Sequence, residues 1–222
     1  MKAAVIVFPG TNCELDTKYA LEKLKIKTTL VWHKEKKLPK TDLVVLPGGF
    51  SYGDYLRSGA ISKFSPVMEA VSEYAKKGGN VLGICNGFQI LLESHMLPGA
   101  MMKNENVHFI SKYHRLKVIN NDNAFLNKTK EGEILNVPIA HGEGNYYIDE
   151  DGLKELYDNG QVLLKYCDEN GNESNPNGSV DSIAGICNKE KNVFGLMPHP
   201  ERAVEHILGS TDGIKMLEGF LS

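Results

Sequence analysis

The fold of this chain is decided by the stretch Asn80-Val81-Leu82-Gly83-Ile84-Cys85-Asn86-Gly87-Phe88-Gln89-Ile90-Leu91-Leu92. An apolar run ends at Ile84, a cysteine follows between two glycines, and a second apolar run continues after Asn86. A short continuous apolar run is typical of a strand that is buried on both faces. We therefore predict a buried strand over residues 80–84 and a helix from about Asn86, with Cys85 on the sharp turn between them.

The spacing of Gly83, Cys85 and Gly87 matches a nucleophile elbow, in which a reactive side chain lies on a tight strand-to-helix turn. A Cβ at either glycine would crowd the neighbouring strand or helix. The positive end of the helix that follows favours the thiolate form of the cysteine. The alternative is a structural cysteine at the end of a core strand, because free cysteines are usually small buried hydrophobic residues.

The rest of the sequence alternates between buried strands and helices in its first half. We predict strands over 3–8, 28–32 and 43–46, helices over 14–25 and 66–77, and Asn12 as the N-cap of the first helix. This alternation predicts an α/β fold with a mostly parallel central sheet flanked by helices. No linker divides the sequence, so we interpret residues 1–222 as a single domain.

The second half is less regular. We predict strands over 107–110, 116–119 and 161–166, a hairpin from 183–187 and 193–197, and a closing helix over 214–221. The segment 168–179 is rich in Asn, Gly and Glu. We interpret it as a mobile surface loop.

The composition describes an ordinary globular protein and argues against several classes. Of the 222 residues 41% are hydrophobic and 24% charged, which suits a sizeable core. The net charge of -3 gives no electrostatic footprint for nucleic acid or an anionic membrane. Neither an export signal nor a membrane span is present, so we expect a cytoplasmic protein. The four cysteines form no C-x-x-C pair, which argues against a metal site or a disulfide framework.

A second group of residues, Met197-Pro198-His199-Pro200-Glu201-Arg202, suits a catalytic base. A cysteine nucleophile needs a base for its proton, and the base needs a third group to orient it. In an extended segment the side chains of His199 and Glu201 leave the backbone on the same side. The two prolines restrict the backbone around His199. A proline-rich turn with an incidental histidine is the alternative, but the glycine-flanked cysteine favours a Cys85–His199–Glu201 triad.

Acyl transfer also requires two N–H donors for the developing oxyanion. One donor would be the backbone N–H of Asn86, directly after the nucleophile. The other would be Gly49, in a Pro-Gly-Gly loop at the end of the neighbouring strand. Gln89 lies one helical turn after Cys85, so it could contact a substrate or only fill a polar gap.

These motifs resemble the class I (triad-type) glutamine amidotransferases. Two more stretches are similar to one family within them, the glutaminase subunits of phosphoribosylformylglycinamidine synthases of de novo purine biosynthesis. They are Pro47-Gly48-Gly49-Phe50-Ser51-Tyr52-Gly53-Asp54-Tyr55-Leu56-Arg57 and Pro138-Ile139-Ala140-His141-Gly142-Glu143-Gly144. The resemblance covers nearly the whole chain and departs from the expected pattern slightly, at Thr11 and Glu14. It implies a flavodoxin-like sheet with an added antiparallel region.

The resemblance also implies a mechanism. Cys85 would attack the side-chain amide of glutamine and release ammonia, while His199 moves protons and Glu201 orients it. The oxyanion would be held by Gly49 and Asn86. Glutamine would be bound by Gln89, His141, Gly142 and Glu143.

No metal or organic cofactor is implied for this chain. ATP and Mg would be used by a large synthetase subunit that receives the ammonia, and a small bridging subunit is expected beside it. The chain lacks a Walker-type loop of its own. Two alternatives stay open: a glutaminase for another synthetase, such as those for anthranilate or pyridoxal phosphate, or a non-enzymatic stress or chaperone-like relative with an elbow cysteine.

Overall fold

The computed structural model describes residues 1–221 and contains a nine-stranded mixed sheet. The strands are β1 (Lys2–Val7), β2 (Lys27–Trp32), β3 (Leu43–Leu46), β4 (Asn80–Ile84), β5 (Ala100–Met102), β6 (Ile110–Val118), β7 (Ile134–His141), β8 (Asn145–Tyr147), β9 (Val162–Cys167), β10 (Ile183–Cys187) and β11 (Val193–Leu196). The α-helices are α1 (Glu14–Lys23), α2 (Pro66–Lys76), α3 (Asn86–Glu93), α4 (Glu150–Asp158) and α5 (Asp212–Leu217). Strands β5 and β8 form a separate two-stranded ribbon.

The large sheet has a parallel half and an antiparallel half. Its strand order is β2-β1-β3-β4-β11-β10-β9-β6-β7. Neighbours from β2 to β11 are parallel, and neighbours from β11 to β7 are antiparallel. The predicted parallel core with an added antiparallel region is therefore confirmed.

The parallel strands are apolar on both faces because helices cover them. All four residues of β3 have no exposed surface, and each such side chain contributes about 1.5–3 kcal/mol on burial. Helix α1 packs against β1 and β2, and α3 packs against β3, β4 and β11. None of the helices in residues 1–221 has both the length and the apolar character needed to cross a membrane.

The sheet register brings three loops to one edge. Strand β4 lies between β3 and β11, with Leu46 opposite Gly83 and Leu196 opposite Ile84. Because the three strands are parallel, the segments that leave their carboxyl ends meet at the same edge. These segments are the Pro-Gly-Gly loop, the turn at Cys85 and the segment that carries His199.

Several local predictions were wrong. The N-cap of α1 is Cys13 and not Asn12, whose side chain instead accepts a hydrogen bond from the Cys13 thiol at 3.2 Å. No strand forms over 107–109: the N–H of Val107 donates a hydrogen bond to the carbonyl oxygen of Asn104 and closes a turn there. Strand β6 starts only at Ile110. Apolar residues there had suggested a strand, but Val107 is 73% exposed.

Two further differences concern the second half of the chain. The segment 168–179 was predicted to lie on the surface, yet Asn177 and Ser179 at its end are buried. The Asn177 side chain donates a hydrogen bond to the carbonyl of Gly144 at 2.8 Å, which pins this end to the interior. Helix α4 was not predicted. It is capped by Asp149, which accepts from the N–H of Gly152 at 2.8 Å.

Candidate active site

The backbone of Cys85 is strained, as expected at a nucleophile elbow. Its φ of 51° and ψ of -106° are rare for a residue with a Cβ and cost about 1–3 kcal/mol. Two hydrogen bonds hold this conformation: the Cys85 N–H donates to Leu196 at 2.8 Å, and the Gln89 N–H donates to the Cys85 carbonyl at 3.1 Å. The thiol is therefore fixed between the sheet and the start of α3.

Both glycines of the elbow are required by close packing. A Cβ on Gly87 would lie 1.9 Å from the carbonyl oxygen of Leu46, and a Cβ on Gly83 would lie 2.7 Å from the backbone of Gly87. Helix α3 can therefore approach β3 and β4 only with glycine at these positions. This confirms the reason given for the spacing in the sequence.

The predicted base and its orienting carboxylate are in direct contact. Nδ1 of His199 lies 2.7 Å from Oε1 of Glu201, and both residues are buried. The segment is not extended as predicted: Pro200–Arg202 form a 3₁₀ turn, which folds Glu201 back onto the ring. The backbone N–H of His199 also donates a hydrogen bond to the carbonyl oxygen of Pro138 on β7 at 2.8 Å.

The charge state of His199 reflects two opposed effects. Burial alone would lower its pKa, but the negative charges of Glu201 and Cys85 outweigh burial and raise the pKa well above its ordinary value. With Nδ1 bonded to Glu201, Nε2 is left without a hydrogen-bond partner among residues 1–221. An imidazole in this state can receive a proton at Nε2 and stabilise a nearby thiolate.

Gly48 lies at the point where base and nucleophile meet. A Cβ there would lie 2.8 Å from Cε1 of His199 and 3.5 Å from Cβ of Cys85. It would also lie 3.0 Å from the thiol of Cys13, a residue that the sequence did not single out as functional. The guanidinium of Arg202 donates to this thiol at 3.0 Å. Such a contact across the fold carries no sequence signal.

Donor atoms that could ligate a metal ion are also present here. Cys13, His199 and Glu201 each offer one donor atom, and these three atoms all lie within 4.8 Å of one another. Two of these residues already form the hydrogen-bonded pair. The expectation of a metal-free site stays a prediction.

The two predicted oxyanion donors have free N–H groups. Within residues 1–221, neither Gly49 nor Asn86 uses its backbone N–H in a hydrogen bond. The loop of Gly49 is held by its neighbours, since the N–H of Phe50 donates to Gly10 at 3.0 Å and the N–H of Tyr52 donates to Pro9 at 2.6 Å. Gly49 has a φ of 147°, which lies outside the range that other residues readily adopt.

A chain of hydrogen bonds connects the loops around the thiol. The N–H of Ser51 donates to the Asn86 side chain at 3.1 Å, and Asn86 donates to Oε1 of Gln89 at 2.9 Å. Gln89 then donates to the carbonyl of Glu143 at 2.6 Å. Gln89 therefore ties the elbow helix to the loop after β7.

His141 is buried and its two ring nitrogens are both engaged. Nδ1 lies 3.0 Å from Oδ1 of Asn104, and Nε2 lies 3.5 Å from the amide nitrogen of Asn177. Burial, followed by the charge of His199, lowers the pKa of His141 to about 4. The ring is thus neutral near pH 7 and braces the loop that contains Gly142 and Glu143.

The residues expected to bind glutamine share one cavity with the thiol. It has a volume of about 260 Å³, below the roughly 300–1,000 Å³ of pockets for drug-sized ligands, and therefore suits a small metabolite. Its lining includes Cys85, Gly49, Gln89, His141, Gly142 and Glu143. Asp54 and Lys103 also line it. Asp54 belongs to the loop that carried the family resemblance, whereas nothing in the sequence marks Lys103.

Comparison with known proteins identifies the family of this chain. The sequence model of the CobB/CobQ-like glutamine amidotransferase domain matches residues 1–213. The phosphoribosylformylglycinamidine synthase subunit PurQ of Sulfurimonas denitrificans is 68% identical over 222 residues, which are 100% of this chain and 99% of that protein. The PurQ subunit of Wolinella succinogenes is 62% identical over 220 residues, covering 99% of each chain.

A solved structure agrees with these relatives. The structure of PurLQS from Thermotoga maritima matches with a TM-score of 0.90 and 42% identity, and the match covers 99% of this chain and 97% of that one. A single family therefore accounts for the elbow, the paired histidine and glutamate, and the mixed sheet. The chain belongs to the CobB/CobQ-like glutamine amidotransferases and, within them, to the PurQ subunits of phosphoribosylformylglycinamidine synthase.

Proposed function

We propose that this chain hydrolyses the side-chain amide of glutamine through a thioester at Cys85. The observation that carries the proposal is the buried His199–Glu201 pair beside a thiol on a strained elbow. A thiol, an imidazole and a carboxylate in this order form a nucleophile, a base and its orienting group.

The first half of the reaction forms the thioester. Nε2 of His199 takes the proton of Cys85, and the thiolate attacks the amide carbon. The negative charge on the former carbonyl oxygen is stabilised by the free N–H groups of Gly49 and Asn86. When the tetrahedral intermediate collapses, the C–N bond breaks, His199 returns its proton to the nitrogen, and ammonia leaves.

The second half releases glutamate. Water replaces ammonia, His199 takes a proton from it, and the resulting oxygen attacks the thioester carbon. The C–S bond breaks and the proton returns to Cys85. Glu201 stays ionised and keeps Nδ1 of His199 protonated throughout. Apart from glutamine and water, every group in this cycle belongs to this chain, so the proposed glutaminase step needs no metal or organic cofactor.

The ammonia passes to a separate ATP-dependent synthetase that makes formylglycinamidine ribonucleotide. The similarity to a chain of PurLQS supports an assembly with a large synthetase subunit and a small bridging subunit. ATP and Mg would act in the large subunit. We place the complex in the cytoplasm and interpret residues 1–222 as one domain.

The experiment uses the complex assembled from this chain and its synthetase partners. Cys85→Ser should abolish the glutamine-dependent synthesis of formylglycinamidine ribonucleotide and retain synthesis with added ammonium. A diazoketone analogue of glutamine should label Cys85, and His199→Ala should slow the labelling. Loss of the ammonium-dependent reaction in Cys85→Ser, or labelling that is insensitive to His199→Ala, would contradict the proposal.

A further inference from the structure

Three charged side chains in the cavity have no counter-ion. Asp54, Glu143 and Lys103 line the same space as Cys85. Within residues 1–221, none of the three takes part in an ion pair. A carboxylate with a buried, unpaired oxygen at a small cavity indicates a ligand that carries a positive group. Lys103 is exposed and places a positive charge at the same cavity.

Asp54 and Glu143 are both partly buried, and their charges interact. Oδ1 of Asp54 is fully buried and has no hydrogen-bond partner among the described residues. Oε2 of Glu143 accepts only a long hydrogen bond of 3.3 Å from the N–H of Ser58. Burial, followed by the negative charge of Glu143, raises the pKa of Asp54 to about 6. A cation between the two carboxylates would relieve this repulsion.

The backbone holds Asp54 toward the cavity at a cost. Tyr52, Asp54 and Leu56 all have positive φ values, between 53° and 71°. A positive φ is unfavourable for a residue that carries a Cβ. The hydroxyl of Tyr52 anchors the loop through contacts of 2.7 Å to Nδ1 of His33 and 2.9 Å to Oγ of Ser65. The loop that supplies Gly49 therefore also fixes a carboxylate in the same cavity.

We propose that Asp54 and Glu143 bind the α-ammonium group of glutamine and that Lys103 binds its α-carboxylate. This inference rests on the proposed function and identifies the groups that recognise the substrate as a free amino acid. With both ends of the zwitterion neutralised, the side-chain amide extends to Cys85 and the oxyanion donors. A glutamine residue inside a peptide lacks both charges and would leave the three side chains unpaired, which disfavours its binding.

The carboxylate half of the proposal is tested with glutaramate, which has the same amide but no α-ammonium group. Glutamine and glutaramate are compared as substrates of the assembled complex, with Asp54→Asn and the wild-type chain. Asp54→Asn should raise the KM for glutamine by about 10-fold or more, because a hydrogen bond to a charged group is lost. The preference for glutamine over glutaramate should fall by the same factor. The control is Asp158→Asn, since Asp158 is exposed at the end of α4 and should not alter this preference.

The lysine half is tested with glutaminamide, in which the α-carboxylate is a neutral amide. Lys103→Met should raise the KM for glutamine about 10-fold and reduce the preference for glutamine over glutaminamide, and Lys103→Arg should restore much of it. An unchanged preference in Asp54→Asn or in Lys103→Met would overturn the corresponding half. An equal loss of activity with glutamine and with the analogue would also overturn that half, because such a loss indicates a structural role.

Two measurements separate these outcomes from other failures. Ammonium-dependent synthesis by each variant complex shows whether the chain has folded and assembled. If Asp54→Asn does not fold, Asp54→Glu takes its place, because it retains the charge on a side chain of different length. Asp54→Glu should raise the KM for glutamine more than the KM for glutaramate. Labelling of Cys85 by a simple alkylating agent reports on the triad alone. Normal labelling with an unchanged substrate preference would refute the subsite and leave the proposed function intact.

Discussion

Nδ1 of His199 donates a hydrogen bond to Oε1 of Glu201 across 2.7 Å, at a site where each residue is only 2% exposed. The other oxygen of Glu201 has no hydrogen-bond partner among residues 1–221. A buried carboxylate with one partner is costly, so this pair is maintained by the packing of the 3₁₀ turn around it. Its consequence is a histidine with a fixed tautomer and a raised pKa.

Replacing Glu201 should therefore damage the chemistry more than the fold. Glu201→Gln removes the charge that raises the pKa of His199 and keeps the shape of the side chain. We expect kcat for glutamine hydrolysis to fall by about 10²–10⁴. The measurement is the steady-state rate in the assembled complex, with ammonium-dependent synthesis as the control. A decrease of less than about 10-fold would show that Glu201 does not orient the base.

Gly87→Ala should test the close approach of α3 to the sheet. The new Cβ would lie 1.9 Å from the carbonyl oxygen of Leu46, so the helix must shift. We expect a loss of about 3 kcal/mol or more in the free energy of unfolding, which corresponds to a decrease of roughly 6–12 °C in the melting temperature for a chain of this size.

Gly132→Ala is the matched control for this substitution. Gly132 has a positive φ, yet a Cβ there would meet no atom within 4 Å. Gly132→Ala should lower the free energy of unfolding by only about 1–2 kcal/mol, the cost of a left-handed backbone conformation for a residue with a Cβ. Equal melting temperatures for the two variants, measured by circular dichroism, would mean that the Gly87 contact does not limit the helix position.

Gly49→Ala should separate oxyanion stabilisation from nucleophile reactivity. Its φ of 147° and the backbone nitrogen of Asn12, 2.7 Å from an added Cβ, force the loop to move. We expect kcat for glutamine to fall by about 10²–10³, the usual cost of losing one oxyanion donor. Alkylation of Cys85 by iodoacetamide needs no oxyanion and should continue at nearly the wild-type rate. If both rates fall together, Gly49 supports the elbow itself.

The sequence was most informative where one local pattern determines the structure. Strands β3 and β4 were predicted with their observed bounds because buried parallel strands are continuous apolar runs. The contact between His199 and Glu201 was also predicted, although from the wrong backbone geometry. Two residues at this spacing meet in an extended segment and, as found here, in a tight turn.

The sequence was least informative where distant segments meet. Cys13 contacts Arg202, 189 positions away in the sequence, and Lys103 reaches the cavity from a segment with no recognisable motif. Val107 and Phe109 lie in an exposed segment that lines the cavity, so burial does not explain their apolar character. Contacts of this kind depend on the order of strands in the sheet, which a local pattern does not encode.

His141 should make the stability of the fold depend on pH. Its folded-state pKa is lowered to about 4 by burial and by the charge of His199, whereas in the unfolded chain it is about 6.5. The unfolded state therefore binds a proton at a pH where the folded state does not. The stabilisation is complete above about pH 6.5 and is lost as the pH falls through about 4.

The loss should amount to about 3 kcal/mol, since each pKa unit corresponds to 1.36 kcal/mol. Urea unfolding of the isolated chain at a series of pH values measures it, and His141→Gln is the comparison, because glutamine can still hydrogen-bond Asn104 and does not titrate. The difference in unfolding free energy between wild type and variant should shrink by about this amount between about pH 7 and pH 4. A difference that stays constant would show that His141 is protonated in the folded chain, and its hydrogen bonds to Asn104 and Asn177 would then need another arrangement.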